Sequence, residues 1–321
     1  MIVITGGTGF IGSNLVNSLD EKSEIFVCDF LKNKNYLENF SEKQLISPST
    51  LKQFIDLNKK NISTIIHLGA ITSTIERNVD VILENNILLS QYLWDFCCNY
   101  DKRFIYASSA ATYGNGENGF HDDKNHKYFL KLEPLNLYGW SKHIFDKYVL
   151  DNVERNRQPK QWVGLKFFNV YGPNELHKGE MRSIVCKIYE RVIENKKIDL
   201  FKSHKKGYFD GEQLRDFIFV DDVVDIIRWF LKKRKLNGIF NIGTGQPRTF
   251  NDVANLVFKY CNKENKTNFI NMPERIRHQY QYFTKANINK LRKCGYNKEF
   301  TSLEKGIRSY VHNYLLKKFV Q

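Results

Sequence analysis

The stretch Thr5-Gly6-Gly7-Thr8-Gly9-Phe10-Ile11-Gly12 decides the fold of this chain. It follows the apolar run Met1-Ile2-Val3-Ile4, typical of a buried strand, and precedes apolar residues at helical spacing. The order is strand, glycine turn and helix, a unit that can bind phosphate at the helix N-terminus. We expect Gly6 to allow the tight turn, Gly9 to admit a pyrophosphate, and Gly12 to let the helix pack closely on the strand.

An acidic residue at the end of the next strand indicates a dinucleotide site. Glu24-Ile25-Phe26-Val27-Cys28-Asp29 reads as that strand. Asp29 stands about 20 residues after the glycine turn, where a carboxylate binds the adenosine ribose. The glycine spacing, G-x-x-G-x-x-G, is one residue looser than the usual fingerprint. A plain strand–turn–helix unit without a ligand is the alternative.

The composition excludes several classes of protein. The chain has 321 residues and a net charge of +14, but its lysines are not clustered with aromatic residues, so we expect no nucleic-acid partner. It has no run of about 18 apolar residues and no signal-peptide pattern, which predicts a cytoplasmic protein without a membrane partner. The six cysteines lack zinc-ligand spacing, so we expect reduced thiols and no metal site.

Strands and helices alternate through the first half of the chain. Further strands are predicted within 61–70, at 103–109 and at 162–168, with helices at 81–100 and 137–153 between them. This alternation predicts an α/β fold of the Rossmann type, a doubly wound parallel sheet with helices on both faces. Ligands then bind at the carboxyl ends of the strands, where four candidate residues follow their strands: Gly6, Asp29, Gly69 and Ser109.

The second half is less regular and predicts a smaller C-terminal substrate-binding lobe. We expect a loop at 171–179, a helix at 181–195, a basic loop at 202–211, and two strands near 216–220 and 239–243 that flank a helix at 222–231. The cofactor-binding domain would comprise 1–168 with about 216–243. The substrate-binding domain would comprise about 169–215 with 244–321.

Tyr138 and Lys142 are the strongest candidates for chemistry. They are four residues apart on a predicted helix and so share one face. A neighbouring ammonium favours the phenolate, which predicts that Lys142 lowers the pKa of Tyr138 towards neutrality. Tyr138 could then act as a general acid or base at pH 7. Ser109 ends the preceding strand, where its hydroxyl could bond the reacting oxygen; a simple strand-end turn is the alternative for this serine.

Together these features resemble the extended, nucleotide-sugar-modifying form of the short-chain dehydrogenase/reductase superfamily. Longer strings are similar to the ADP-L-glycero-D-manno-heptose 6-epimerase family in particular. The strings are Tyr106-Ala107-Ser108-Ser109-Ala110-Ala111-Thr112-Tyr113-Gly114, Phe168-Asn169-Val170-Tyr171-Gly172-Pro173, His177-Lys178-Gly179, Gly211-Glu212-Gln213-Leu214-Arg215-Asp216-Phe217 and Tyr280-Gln281-Tyr282-Phe283-Thr284. The His-Lys-Gly string is the most specific of them.

The resemblance implies a reaction and its participants. A tightly held nicotinamide cofactor would oxidise C6 of an ADP-heptose to a transient ketone and reduce it again from the other face, in lipopolysaccharide core heptose biosynthesis. Tyr138, with Ser109 and Lys142, would serve one face of the carbon and Lys178 the other. The family also implies a homo-oligomer. The resemblance favours NADP, with NAD as the alternative, although Asp29 alone suits NAD; Lys32 and Lys34 follow closely enough to bind the extra phosphate.

Binding residues carried over from the family fall into two groups. The expected cofactor-binding residues are Gly6, Gly9, Phe10, Ile11, Gly12, Asp29, Phe30, Lys34, Leu68, Gly69, Ala70, Ile71, Thr72, Asn85, Tyr138, Lys142, Val170 and Lys178. The expected substrate-binding residues are Ser109, Asn169, Glu180, Lys187, Phe201, Lys202, Ser203, His204, Arg215 and Tyr280. Arg215 suits a pyrophosphate, and a structural pairing with Asp216 or its neighbours is the alternative. Phe30 and Lys187 depart from the family pattern, which has asparagine and histidine there.

Other functions remain open from the sequence. A nucleotide-sugar 4-epimerase or reductase of the same fold is the first alternative, but a 4-epimerase would not need Lys178. A 4,6-dehydratase usually carries an Asp-Glu pair where this chain has Ala110-Ala111. A protein that senses the cofactor without catalysis is the alternative from another class. Such proteins tend to lose the Tyr138–Lys142 pair, which this chain keeps.

Overall fold

The computed structural model describes residues 1–19, 24–30, 36–37, 44–122, 126–277 and 280–319. Its strands are β1 Ile2–Thr5, β2 Ile25–Cys28, β3 Leu45–Ile46, β4 Thr64–His67, β5 Arg103–Ser109, β6 Gln161–Phe167, β7 Asn169–Tyr171, β8 Ile198–Phe201, β9 Leu214–Arg215, β10 Phe217–Phe219, β11 Gly238–Ile242, β12 Arg248–Thr249 and β13 Thr267–Ile270.

The helices begin with the one that follows the glycine turn. They are α1 Phe10–Ser18, α2 Leu51–Leu57, α3 Val79–Ile82, α4 Leu89–Asn99, α5 His126–Phe129, α6 Leu137–Glu154, α7 Ile184–Ile193, α8 Val220–Lys232, α9 Phe250–Tyr260, α10 Glu274–Arg277, α11 Asn289–Lys293, α12 Leu303–Ser309 and α13 Leu316–Phe319. A π-helical turn, Leu83–Leu88, joins α3 to α4, and a 3-10 turn, Leu176–Met181, precedes α7.

A parallel seven-stranded sheet forms the centre of the molecule. Its strand order is β11-β6-β5-β4-β1-β2-β3. Strands β2 and β3 are added on one side of β1, and β4 and the later strands on the other, so the order of addition reverses between the parallel strands β1 and β4. Neighbouring residues of one strand pack on opposite faces, because side chains alternate along a strand. Val3 lies in one apolar core with α4 and α6, and Ile4 lies in the other with α1 and α8. The predicted doubly wound α/β fold is confirmed.

The second half contributes a third apolar core. It is built mainly from α7, α9, α12 and the strands β7, β8 and β10. The predicted strand near 216–220 is observed as β10, but it pairs with β7 outside the main sheet. The loop predicted at 171–179 is therefore partly wrong, because it begins with the end of β7 and ends in a 3-10 turn. Burial explains why β7 and β10 pair away from the main sheet: Tyr171, Phe217 and Phe219 pack in this third core.

Two further observations concern helices. The helix predicted at 81–100 begins two residues earlier, because Asn78 accepts a hydrogen bond from the N–H of Val81 and caps it. Among the described helices, none combines the length and the apolar character needed to cross a membrane.

Candidate active site

A cavity of about 600 Å³ opens at the carboxyl ends of the central strands. This volume suits a small-molecule or cofactor site. Every expected cofactor-binding residue within the described ranges lines it. Lys34, like Lys32, lies outside the described residues. Ser109 and Asn169, expected to bind substrate, line the same cavity.

The glycine turn lines the cavity between β1 and β4, where the order of the strands reverses. Gly6 has a φ of +69°, and a Cβ there would lie 2.5 Å from the backbone nitrogen of Gly69. A Cβ on Gly12 would lie 2.1 Å from the carbonyl oxygen of Gly6. Helix α1 begins after Gly9, which has no side chain to cap the first N–H groups. These groups and the helix dipole are therefore available to an anion, which fits the pyrophosphate of a dinucleotide.

Asp29 lies at the end of β2 on the wall of the cavity. Its two carboxylate oxygens accept hydrogen bonds from the backbone N–H groups of Thr8 (2.9 Å) and Phe30 (2.7 Å). Each oxygen retains a further lone pair, so Asp29 can still accept a ribose hydroxyl. The Phe30 side chain is 63% exposed at the edge of the cavity.

Asn86 holds the loop that follows β4, and sequence reasoning missed it. Its fully buried amide accepts from the N–H of Ile71 (2.8 Å) and donates to the carbonyl of Ile71 (2.9 Å) and to Ser141 Oγ (3.0 Å). The expected residue, Asn85, lines the cavity while its amide donates to the carbonyl of Val81. Both asparagines lie in the π-helical turn, where helical periodicity does not predict which one faces the loop.

Helix α6 carries Tyr138 and Lys142 to the cavity. Asn136 caps the helix by accepting from the N–H of Gly139 at 2.8 Å. Lys142 Nζ donates to the carbonyl oxygen of Ala107 at 2.9 Å. Burial lowers the pKa of Lys142 to about 8, although the nearby Asp146 opposes that shift.

The expected lowering of the Tyr138 pKa is wrong in this structure. Burial raises the pKa of Tyr138 above its ordinary value, and a hydrogen bond with Ser109 only partly offsets this effect. Lys142 does not reverse it, because its ammonium is engaged by the carbonyl of Ala107. The physical reason is desolvation of the phenolate, which a sequence motif does not report. Tyr138 lines the cavity.

A buried ion pair lies behind these residues. Lys166 Nζ is 2.6 Å from Asp146 Oδ2, with both side chains fully buried. Asp146 also accepts from Tyr106 Oη (3.0 Å) and Ser108 Oγ (2.7 Å), and Lys166 also donates to Thr112 Oγ1 (2.6 Å). These bonds join β5, β6 and α6, so they fix the helix that carries Tyr138 relative to the strand that carries Ser109.

Lys178 approaches the cavity from the 3-10 turn between β7 and α7. Its Nζ lies 5.4 Å from the ring centroid of Phe10, the first residue of α1. Burial lowers the pKa of Lys178, and the buried carboxylate of Glu175 partly opposes this shift. Lys178 and Tyr138 thus line one cavity.

Arg215 lies in an aromatic environment next to the cavity. Its guanidinium is 5.3 Å from the ring centroid of Tyr280 and 5.6 Å from that of Phe250, which lines the cavity. Phe201 contacts the other side of Tyr280 at 5.9 Å between centroids. Asp216 does not pair with Arg215, because its carboxylate accepts from Thr244, Gly245 and Ala286. The Arg215 guanidinium donates instead to the carbonyl oxygen of Leu214 at 2.9 Å. Within the described ranges no carboxylate pairs with Arg215, although it is only 7% exposed.

The remaining expected substrate residues lie outside the cavity lining. Lys187 forms an ion pair with Glu180 at 3.4 Å. The segment after β8 is held by backbone N–H groups: that of Ser203 donates to Asp210 at 2.8 Å, and that of His204 to Tyr282 Oη at 2.9 Å. Lys202 donates its own N–H to the carbonyl of Ile270. Contacts of these residues with substrate stay predictions.

Comparisons with known proteins agree with this geometry. The model of the NAD dependent epimerase/dehydratase family matches residues 2–243. The chain is 44% identical to the ADP-L-glycero-D-manno-heptose-6-epimerase of Fusobacterium nucleatum over 99% of each chain. It is 41% identical to the protein of the same name from Nitratidesulfovibrio vulgaris over 98% of each chain.

A solved structure extends the agreement to three dimensions. The Helicobacter pylori ADP-L-glycero-D-manno-heptose-6-epimerase superposes with a TM-score of 0.78 at 27% identity, covering 97% of this chain and 95% of that one. The match covers nearly the whole length of both chains. The chain belongs to the NAD dependent epimerase/dehydratase family and, within it, to the ADP-L-glycero-D-manno-heptose-6-epimerases.

Proposed function

We propose that this protein inverts C6 of the heptose in ADP-D-glycero-β-D-manno-heptose to give ADP-L-glycero-β-D-manno-heptose. The reaction proceeds through a transient 6-keto sugar. The observation that carries the proposal is the meeting of three features in one cavity: a dinucleotide cradle, the Ser109–Tyr138–Lys142 group and Lys178. An inversion needs a proton-transfer group for each face of the carbon, and Tyr138 and Lys178 supply two such groups.

The glycine turn and the start of α1, here called the cradle, fit a nicotinamide dinucleotide. The turn packs so tightly that a Cβ at Gly6 or Gly12 would clash with neighbouring backbone, as this type of phosphate-binding turn requires. The start of α1 would bind the pyrophosphate, and Asp29 the adenosine ribose. When bound, the nicotinamide supplies reversible oxidation of the C6 alcohol to the ketone. Ser109 and Tyr138 would bind the C6 oxygen through their hydroxyl groups, and Lys142 fixes the carbonyl of Ala107 beneath them.

Proton transfer would pass through two side chains. Tyr138 Oη exchanges a proton with the C6 oxygen of one epimer, with Ser109 as its hydrogen-bond partner. Lys178 Nζ does the same for the other epimer. Burial lowers the pKa of Lys178, which brings a lysine closer to the range where it can both accept and donate a proton. The ketone must turn within the site between the two steps.

Arg215 would bind the diphosphate of the sugar nucleotide. A buried guanidinium without a carboxylate partner is costly, and a phosphate offers the bidentate acceptor that it lacks. The rings of Tyr280 and Phe250 lie within cation–π distance of the guanidinium. Asn169 lines the cavity, where it can reach the sugar.

Substrate conversion tests the proposal. We expect the purified protein to convert ADP-D-glycero-β-D-manno-heptose to its L-glycero epimer without added nicotinamide, as followed by proton NMR. UDP-glucose should not be converted to UDP-galactose under the same conditions. Interconversion of the UDP-sugars without action on the heptose would instead identify a 4-epimerase of the same fold.

We propose NADP as the cofactor, with NAD as the alternative. The negative charge of Asp29 opposes the extra phosphate of NADP. Two backbone N–H groups already bind that carboxylate and compensate part of its charge. The lysines that would bind the phosphate, Lys32 and Lys34, belong to a segment outside the described residues, so this proposal rests on the sequence.

Calorimetry on protein stripped of nucleotide tests the choice of cofactor. We expect NADP to bind more tightly than NAD, and the double variant Lys32→Ala/Lys34→Ala to lose this preference. Asp29→Asn should raise the affinity for NADP, since it removes the opposing charge while keeping a ribose acceptor. Tighter binding of NAD by the native chain would show that Asp29 alone sets the choice.

Three wider proposals follow from the family and the structure. The three apolar cores support a cofactor-binding part at 1–168 with about 216–243 and a substrate-binding part in the remainder. All six cysteines are free thiols, which supports a cytoplasmic location. The proposed reaction belongs to the synthesis of the lipopolysaccharide core heptose. Exposed apolar side chains on the contacting helices α3 and α6, Val79, Trp140 and Ile144, support a homo-oligomer.

A further inference from the structure

Lys178 stands on a loop whose two ends are joined by one buried carboxylate. The loop leaves β7 at Gly172 and reaches α7 at Ser183. Glu175 Oε1 accepts from the N–H of Gly172 (3.3 Å) and from Ser183 Oγ (2.7 Å), and Oε2 accepts from the N–H of Ser183. Glu175 is fully buried, so its charge depends on these donors.

A second set of contacts fixes the start of the loop to α1. Asn14 Nδ2 donates to the carbonyl of Pro173 at 3.0 Å, and Asn174 Nδ2 donates to Ser13 Oγ at 3.1 Å. The backbone N–H of Lys178 donates to the carbonyl oxygen of Glu175 at 3.0 Å. Among the described residues no carboxylate lies within ion-pair distance of its Nζ, which instead lies over Phe10. The position of Lys178 is therefore set through the loop that carries it.

We propose that Glu175 is the positioning residue for Lys178: by closing the loop at both ends, its carboxylate holds the Lys178 ammonium at the cavity. This inference rests on the proposed role of Lys178. Glu175 is not among the residues that line the cavity, so its effect would pass through the loop. The same carboxylate favours the charged form of Lys178 and so raises its pKa, against the larger effect of burial.

A purely structural role is the competing explanation. Ser183 caps α7 by accepting from the N–H of Cys186 at 3.3 Å, so Glu175 could serve only the start of that helix. The other titratable side chains that face Glu175 are Cys186 and Tyr310. The two explanations predict different effects on the two epimers. A structural defect should slow the oxidation of both epimers, whereas misplacement of Lys178 should slow the oxidation of only one.

Single-turnover oxidation of each epimer separates the explanations. With enzyme in excess, reduction of bound nicotinamide is followed by absorbance after mixing with either the D-glycero or the L-glycero sugar. Lys178→Met should slow oxidation of one epimer and Tyr138→Phe that of the other. We expect Glu175→Gln to reproduce the epimer preference of Lys178→Met, with a loss of about 10²-fold for that epimer.

Two further measurements keep the test valid if Glu175→Gln is less stable. Amide hydrogen exchange should increase in residues 172–183 of this variant and remain unchanged in α6. Ser183→Ala removes the Oγ bond to Glu175 and the cap on the N–H of Cys186, but it keeps the carboxylate and its bonds to the N–H groups of Gly172 and Ser183. It should therefore show a smaller loss with the same epimer. Equal losses for both epimers, or no loss, would overturn the role of Glu175. If Lys178→Met itself shows no epimer preference, the proposed function of Lys178 fails instead.

Discussion

Replacement of Tyr138 by phenylalanine should reduce the rate of epimerisation by about 10²- to 10⁴-fold, the contribution expected of a general acid–base group. The change removes one oxygen atom and leaves the ring in place. Tyr138 is held by α6, which the ion pair of Asp146 with Lys166 fixes to the central sheet. Turnover of the purified variant, measured by NMR at saturating substrate, checks this prediction.

The control for Tyr138→Phe is a tyrosine on the same helix. Tyr148 lies outside the cavity and donates to Asp95 at 2.7 Å on the partly exposed side of α6. Tyr148→Phe should keep full turnover, and both variants should bind cofactor with native affinity. A loss below tenfold in Tyr138→Phe would remove this residue from proton transfer.

Replacement of Lys178 by methionine should reduce turnover by a comparable factor, about 10²- to 10⁴-fold. Methionine has nearly the same length and keeps the apolar contact with Phe10, so the loop should remain folded. Because burial already lowers the pKa of Lys178, removal of its charge should not reduce the melting temperature. Loss of turnover with unchanged stability would separate a chemical role from a structural one.

Lys196 provides the control for Lys178→Met. It is exposed and pairs with Glu194 at 2.8 Å beyond the end of α7. Lys196→Met should retain native turnover, since a surface ion pair contributes little. If Lys178→Met retained native turnover as well, the second face of the sugar would have to be served by another group.

Local motifs allowed the sequence to predict much of the fold and site. Gly6, Gly12 and Asp29 belong to one strand–turn–helix–strand unit, so their spacing alone predicts the cofactor-binding turn. Tyr138 and Lys142 share a helix face for the same reason. The family resemblance added Lys178, which no spacing rule would distinguish from other loop lysines.

Features that depend on contacts between distant segments were not predictable. The pKa of Tyr138 is set by burial against β5 rather than by Lys142, so the motif gave the wrong direction. Asn86 supports the loop after β4 only because a π-helical turn directs it there. Glu175 acts through donors at both ends of its loop. Each case requires the folded chain, since the partners are not at a periodic spacing.

Epimerisation in deuterium oxide tests the central claim most directly. The account holds that C6 is oxidised and reduced within one site, so the hydrogen on C6 does not exchange with solvent. Purified protein should therefore convert ADP-D-glycero-β-D-manno-heptose in deuterium oxide to a product without deuterium at C6, as measured by NMR and mass spectrometry. One deuterium at C6 for each molecule converted would show deprotonation and reprotonation of the carbon, and would contradict the redox mechanism proposed for this cavity.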